Sequence, residues 1–218
     1  MTPQGRQVEL LEKNKPRQER AKRTYEAILV AASELLLEVG VERISTNIMA
    51  ERAGITVPAL YRYFPNKYAV LHALGAAMMD KQNTVCLGWV EKNLDKSEPQ
   101  VLLNSIDQLL LLTYEVTRDQ LAGLEIIQSL RAVGPLQEVR LTSNRLVAEQ
   151  FAEVIADIFH WPIDHTLTMQ SRLSVDMGYA VVELALEDST LVATETLAQG
   201  ARMIQLYWQD IIAKRSGE

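Results

Sequence analysis

The spacing of apolar residues restricts the fold more than any other feature of this chain. They recur at intervals of three and four along nearly its whole length, and the period-two alternation of a strand is missing. Ile28, Ala32, Leu35, Leu36 and Val39 share one helical face near the start. Toward the end, Leu173, Met177, Val181 and Leu184 form one stripe, and Leu197, Ala201, Ile204, Trp208 and Ile211 form another. The pattern predicts an all-α chain of about nine helices, with no repeat of 20–50 residues. Breaks fall at Gly40, at "VGP" 133–135, at "HWPID" 160–164 and at "LEDST" 186–190, and Ser97 with Gln100 has capping-box spacing.

With 218 residues, 48% of them hydrophobic, the chain can bury a sizeable core, and 23% charged residues argue against global disorder. The net charge of -6 argues against a polyanionic partner until its distribution is considered. Residues 1–75 hold 11 Lys/Arg and 8 Asp/Glu, a balance of +3, whereas residues 76–218 hold 11 and 20, a balance of -9. Only the front suits a polyanion. Cys86 is the single cysteine, so no intrachain disulfide or thiolate cluster can form. The polar N-terminus has no apolar run of the secretory kind, and no stretch of about 18 apolar residues predicts a membrane span. A cytoplasmic location is expected.

Residues 54–67, "GITVPALYRYFPNK", gather aromatic and cationic residues around a proline. Ser45 is placed to cap a short helix holding Met49 and Ala50, and Gly54 stops it. Thr56 is placed to cap a second short helix, with Val57 and Pro58 in its first turn, where a missing N–H costs nothing. Two short helices around a tight turn outline a helix-turn-helix unit whose second helix enters the major groove. Ile55, Leu60 and Phe64 are spaced to face inward, while Thr56, Val57, Ala59, Tyr61, Arg62 and Tyr63 point outward. Arg62 suits phosphate or guanine, and Lys67 in the next first turn suits phosphate. Tyr61 also fits a packing role.

The run "SELLLEVGVERISTNIMAERAGITVPALYRYFPNKYAVLHAL" resembles the N-terminal domain of the TetR family of bacterial regulators. Ser45, Met49-Ala50, Ala53-Gly54-Ile55-Thr56, Leu60-Tyr61, Tyr63-Phe64 and Lys67 fill the family pattern in order, over roughly residues 20–75. Met49 and Pro58 depart from it slightly. The resemblance implies DNA contacts from Ser45, Thr46, Thr56, Val57, Pro58, Tyr61, Arg62, Tyr63 and Lys67. It further implies a homodimer reading a palindromic operator, released by a small-molecule inducer. The expected organisation is a flexible basic arm over 1–17, a helix-turn-helix domain over 18–70, and a ligand-binding and dimerisation domain over 71–218. The basic run "KNKPRQERAKR" at 13–23 reads either as a solvated tail or as an arm tracking phosphate or a groove.

For the rear, the expected dimer face is Met177, Val181, Leu184, Leu197, Ala201, Ile204 and Trp208. The same stripes also fit an ordinary core. Trp89, Tyr114, Gln128, Phe151 and Met169 are the candidates for lining a cavity, though each also fits plain core or surface. No cofactor is implied. His160 and His165 around Asp164 lack a recognised metal-ligand spacing, and no phosphate loop or serine elbow occurs, so an enzyme is not expected. The alternative function is an all-helical ligand-binding or protein-interaction module without DNA binding.

Overall fold

The computed structural model describes residues 9–13, 16, 18–93 and 99–216. Among the described residues there are ten α-helices, one 3-10 turn and no strand. They are α1 (Glu19–Arg43), α2 (Thr46–Arg52), α3 (Val57–Leu60), α4 (Lys67–Asn93), α5 (Pro99–Asn104), α6 (Ile106–Asp119), α7 (Gly123–Ala132), α8 (Gln137–Phe159), α9 (His165–Glu187) and α10 (Ala193–Ser216). The all-α architecture matches the periodicity, with one helix more than expected. The capping box at Ser97 lies outside the described residues.

The chain divides into two compact units, one of residues 1–79 with 120–141, the other of residues 80–119 with 142–218. The first is built around α1. Its Ile28, Ala32, Leu35 and Leu36 are buried against Met49, Ala50, Leu60, Phe64, Leu71 and, from α7, Ile126 and Leu130. Burying each large aliphatic or aromatic side chain here contributes about 1.5–3 kcal/mol relative to exposure. Gly75 permits the approach of α4 to α7, since a Cβ there would lie 2.5 Å from Leu130 Cδ2. Gly40 adopts φ 72°, ψ 171° and breaks the regular helix before Arg43, which is the stop its position suggested.

The second unit is a layer of α6, α9 and α10 with α5 and α8 packed on it. Trp208 of α10 is its anchor. The ring is 0% exposed, meets Phe151 edge-on at 5.4 Å between centroids, and donates through Nε1 to Ser174 Oγ at 2.9 Å. Gly200 brings α10 against α9, because an added Cβ would sit 2.4 Å from Val181 Cγ1. Asp164 caps α9 by accepting from the Leu167 N–H at 2.7 Å. Its other oxygen faces Arg215, whose guanidinium lies over the Trp161 ring at 4.7 Å.

Two expectations change here. Residues 9–13, assigned to a flexible arm, run along the turn between α3 and α4. Lys13 N–H donates to Tyr63 O at 2.8 Å, Asn66 Nδ2 donates to Glu9 O at 2.8 Å, and Leu10 packs on the core of the first unit. The flexibility expected of residues 1–8, 14, 15 and 17 concerns positions outside the described residues. The second concerns the dimer face. Leu197, Ala201, Ile204 and Trp208 are buried inside the second unit and have no surface to offer another subunit. Met177 and Val181 are half-buried, and Leu184 alone of that set is exposed. The apolar residues that do face outward are Met169, Leu173 and Leu184 on α9 with Met203 and Leu206 on α10.

Candidate functional site

The α2–α3 unit is shaped by local chemistry. Gly54 adopts φ 66°, a left-handed conformation that costs other residues energy, and its N–H donates to Glu51 O at 3.0 Å. Ile55 N–H reaches back to Ala50 O at 2.9 Å, which closes the turn. Thr56 then caps α3, its Oγ1 accepting from the Ala59 N–H at 3.4 Å, with Pro58 in the first turn. Regular helix ends at Leu60, but Tyr63 and Phe64 N–H both bond Leu60 O, so a further turn follows and carries Tyr61 and Arg62 outward. Leu60 and Phe64 point the other way and are fully buried.

Exposed on this rod are Thr56, Pro58, Tyr61 and Arg62, while Val57 and Tyr63 are half-buried. Tyr61 is 41% exposed, and its hydroxyl shares a hydrogen bond of 3.1 Å with Thr46 Oγ1 at the start of α2. That bond links two expected DNA-facing residues across the turn. Ser45 stands at the N-cap of α2 with extended backbone, but its hydroxyl makes no capping bond, contrary to the role its position suggested. Tyr63 lies edge-on to Tyr25 at 6.3 Å, and Tyr25 stacks on Phe64 at 5.1 Å. Burial first, and then the neighbouring Glu12 carboxylate, push the Tyr25 phenol well above its ordinary range, so it stays a neutral donor.

Lys67 behaves differently from its expected phosphate role. Its ammonium donates to three carbonyls at the end of α1, Val41 O at 3.4 Å, Glu42 O at 3.3 Å and Ile44 O at 3.1 Å. A cation suits that place because the last carbonyls of a helix lack intrahelical donors and carry partial negative charge. The backbone at the start of α4 is capped separately, Ala69 N–H donating to Asn66 Oδ1 at 3.0 Å. On the opposite side of α2, Arg52 clamps α1 through Glu38 at 2.6 Å and Glu34 at 3.2 Å. The hydrogen bond from Arg52, aided by its charge, holds the Glu38 carboxyl below its ordinary range against the opposing effect of desolvation.

A cavity of about 140 Å³ lies within the second unit, walled mainly by aliphatic residues such as Leu102, Leu110, Val154, Val182 and Ile204. Of the expected lining residues, Phe151 is on its wall. Trp89 and Tyr114 are half-buried elsewhere in that unit, Met169 is exposed on α9, and Gln128 is exposed on α7 of the first unit, so these four are corrected. Periodicity marks apolar faces but does not distinguish a filled core from a hollow one. Cys86, Thr113, Gln150, Ser174 and Tyr179 supply the polar atoms. Cys86 Sγ and Thr113 Oγ1 share a contact of 3.2 Å, and burial pushes the Cys86 thiol up despite that bond.

Fold and site together define an all-α protein with an N-terminal helix-turn-helix head. Residues 28–74 match the model of the family described as bacterial regulatory proteins, tetR family. Curated relatives include the tetracycline repressor protein class C of Escherichia coli, 48% identical over 59 residues, which are 27% of this chain and 27% of that protein. The class A tetracycline repressor from transposon 1721 is 47% identical over 57 residues, 26% of either chain. The matches thus span about a quarter of the length of those relatives. The solved TetR-family transcriptional regulator from Streptomyces coelicolor has a TM-score of 0.61 at 19% identity, covering 86% of this chain and 98% of that one, a likeness of fold.

Proposed function

We propose that the protein is a homodimeric, sequence-specific DNA-binding regulator of transcription, a repressor released from a palindromic operator by a small-molecule inducer. The observation that carries the reading is the outward rod formed by α3 and the turn after it. Its tetR-family head presents Thr56, Tyr61 and Arg62 to solvent while Leu60 and Phe64 hold it to the core. Arg62 and Thr56 are the base-reading candidates, and Ser45, Thr46, Val57, Pro58 and Tyr63 flank them as backbone contacts. The likeness to tetracycline repressors supports repression, and the cavity supports an inducer.

Dimerisation is assigned to the outward face of α9 and α10, where Met169, Leu173, Leu184, Met203 and Leu206 leave apolar surface uncovered. A two-fold dimer reads half-sites about 34–36 Å apart, one turn of the double helix or multiples of it. The proposed location is the bacterial cytoplasm, and among the described residues no helix is long and apolar enough to cross a membrane.

The test is a fluorescence-polarisation titration with duplex DNA from upstream of the protein's own gene, against scrambled duplex. Saturable, salt-sensitive preference for one palindromic segment is expected. Equal affinity for both duplexes at every salt concentration overturns the assignment. Leu173→Glu combined with Met203→Glu is expected to yield a folded monomer in sedimentation and to abolish operator binding.

A further inference from the structure

The rod that reads DNA in the proposed regulator is too short to hold itself. α3 has four residues, and isolated helices shorter than about 12–15 residues are marginal in water. Its direction therefore depends on what grips its two ends. The front end is fixed by the Gly54 turn, where Ile55 N–H donates to Ala50 O at 2.9 Å. The rear end runs into residues 63–66, the link to α4, and residues 9–13 hold that link at its first and last positions. Lys13 N–H donates to Tyr63 O at 2.8 Å, and Asn66 Nδ2 donates to Glu9 O at 2.8 Å. Residues 9–13 have no helix or strand of their own, so side chains must keep them in place. Leu10 packs on the core of the same unit, and the Glu12 carboxylate accepts from the Tyr25 phenol. Tyr25 in turn stacks on Phe64 at 5.1 Å and meets Tyr63 edge-on at 6.3 Å. Contacts thus run without a break from Glu12 to the two residues that follow Arg62.

From this we infer that residues 9–13 are a strap that sets the pose of the DNA-reading rod, with Glu12 as its positioning residue. Resting on the proposed regulator, the strap gives Tyr61 and Arg62 a support from outside the helix-turn-helix. Glu12 acts through Tyr25 and needs no contact with DNA. Charge and positioning therefore predict opposite signs. A carboxylate on a DNA-binding head repels phosphate, so by charge alone its removal tightens DNA binding. Losing the anchor of the strap weakens binding instead, because a loosened rod must be ordered again on the DNA.

The test uses the full chain carrying Glu12→Ala, Glu12→Gln, Tyr25→Phe, or Glu12→Ala with Tyr25→Phe, each measured well below its own melting range. Tyr25→Phe keeps the ring contacts and removes the donor, whereas Glu12→Gln removes the charge and keeps an acceptor for the phenol. Amide exchange followed by NMR without DNA should quicken about tenfold at Lys13, Tyr63 and Phe64 in Glu12→Ala and in Tyr25→Phe. It should quicken no further in the pair, and stay unchanged in Glu12→Gln. Operator affinity should fall about five- to tenfold in Glu12→Ala, in Tyr25→Phe and in the pair alike, and hold or rise in Glu12→Gln. The strap is overturned by unchanged exchange in both Glu12→Ala and Tyr25→Phe, by operator binding as tight or tighter in Glu12→Ala, or by equal losses in Glu12→Ala and Glu12→Gln. Exchange is read without DNA, so the two readings fail separately. Intact operator preference with unchanged exchange sinks only the strap, and the expected exchange pattern with no operator preference in the unaltered protein sinks only the regulator.

Discussion

Replacing Lys67 by methionine separates two roles that a lysine in this place could have. The substitution keeps the aliphatic stem and removes the ammonium that bridges Val41 O, Glu42 O and Ile44 O. A hydrogen bond with a charged partner contributes about 1.5–3 kcal/mol when well buried. Here the group is part-buried and the distances run from 3.1 to 3.4 Å, so solvent screening lowers the whole cluster to about 1–2 kcal/mol. For a chain of 150–250 residues each kcal/mol shifts the melting midpoint by about 2–4 °C, which gives a fall of about 2–8 °C. The assay is thermal unfolding by circular dichroism, paired with DNA titrations across a salt series well below the melting range. Because the ammonium is occupied by carbonyls, the log–log salt slope should stay the same. A protein that melts unchanged but loses about 0.9 from the slope per subunit would mean that Lys67 grips phosphate, and the clamp argument would fall.

Other outcomes are equally open to measurement. Glu38→Gln should lower the melting temperature near neutral pH and make no difference in acid. The folded carboxyl titrates below its ordinary value, so its contribution is present above about 4.5 and is lost as pH falls through the depressed value; an equal difference at all pH values would contradict the Arg52 pairing. Gly200→Ala should destabilise, because strain of about 1–3 kcal/mol from a Cβ 2.4 Å from Val181 outweighs the helix-propensity gain of about 1 kcal/mol. Adding Val181→Ala should recover part of the loss, and strict additivity in denaturant titrations would argue against that contact. Gly54→Ala should cost about 1–2 kcal/mol through its left-handed φ, although a Cβ there meets nothing within 4 Å. Arg62→Ala should change the ranking of operator variants in competition binding by about 1–3 kcal/mol at one base pair, whereas uniform weakening would place Arg62 on phosphate.

The helix-turn-helix was legible because its determinants lie close together in the chain. Gly54 supplies the turn, Thr56 the cap, Pro58 the helix start, and Leu60 and Phe64 the buried side. The family resemblance rests on the same residues. The cavity was less legible, and Phe151 alone was anticipated on its wall. A helical period marks an apolar face, whereas a hollow among such faces depends on how distant helices meet.

Local spacing alone therefore determined an all-α chain with a short projecting helix near its front, since caps, turns and helical faces are decided within a few residues. Tertiary packing decided which side of each face was spoken for. It turned Leu197, Ala201, Ile204 and Trp208 inward and left Met203 and Leu206 outside. It also sent the Lys67 ammonium to carbonyls 23 to 26 positions earlier in the chain. The physical reason is that a helix period identifies a face but not its neighbour. A side chain's partner is settled by whichever acceptor, donor or apolar surface the fold brings within a few ångströms.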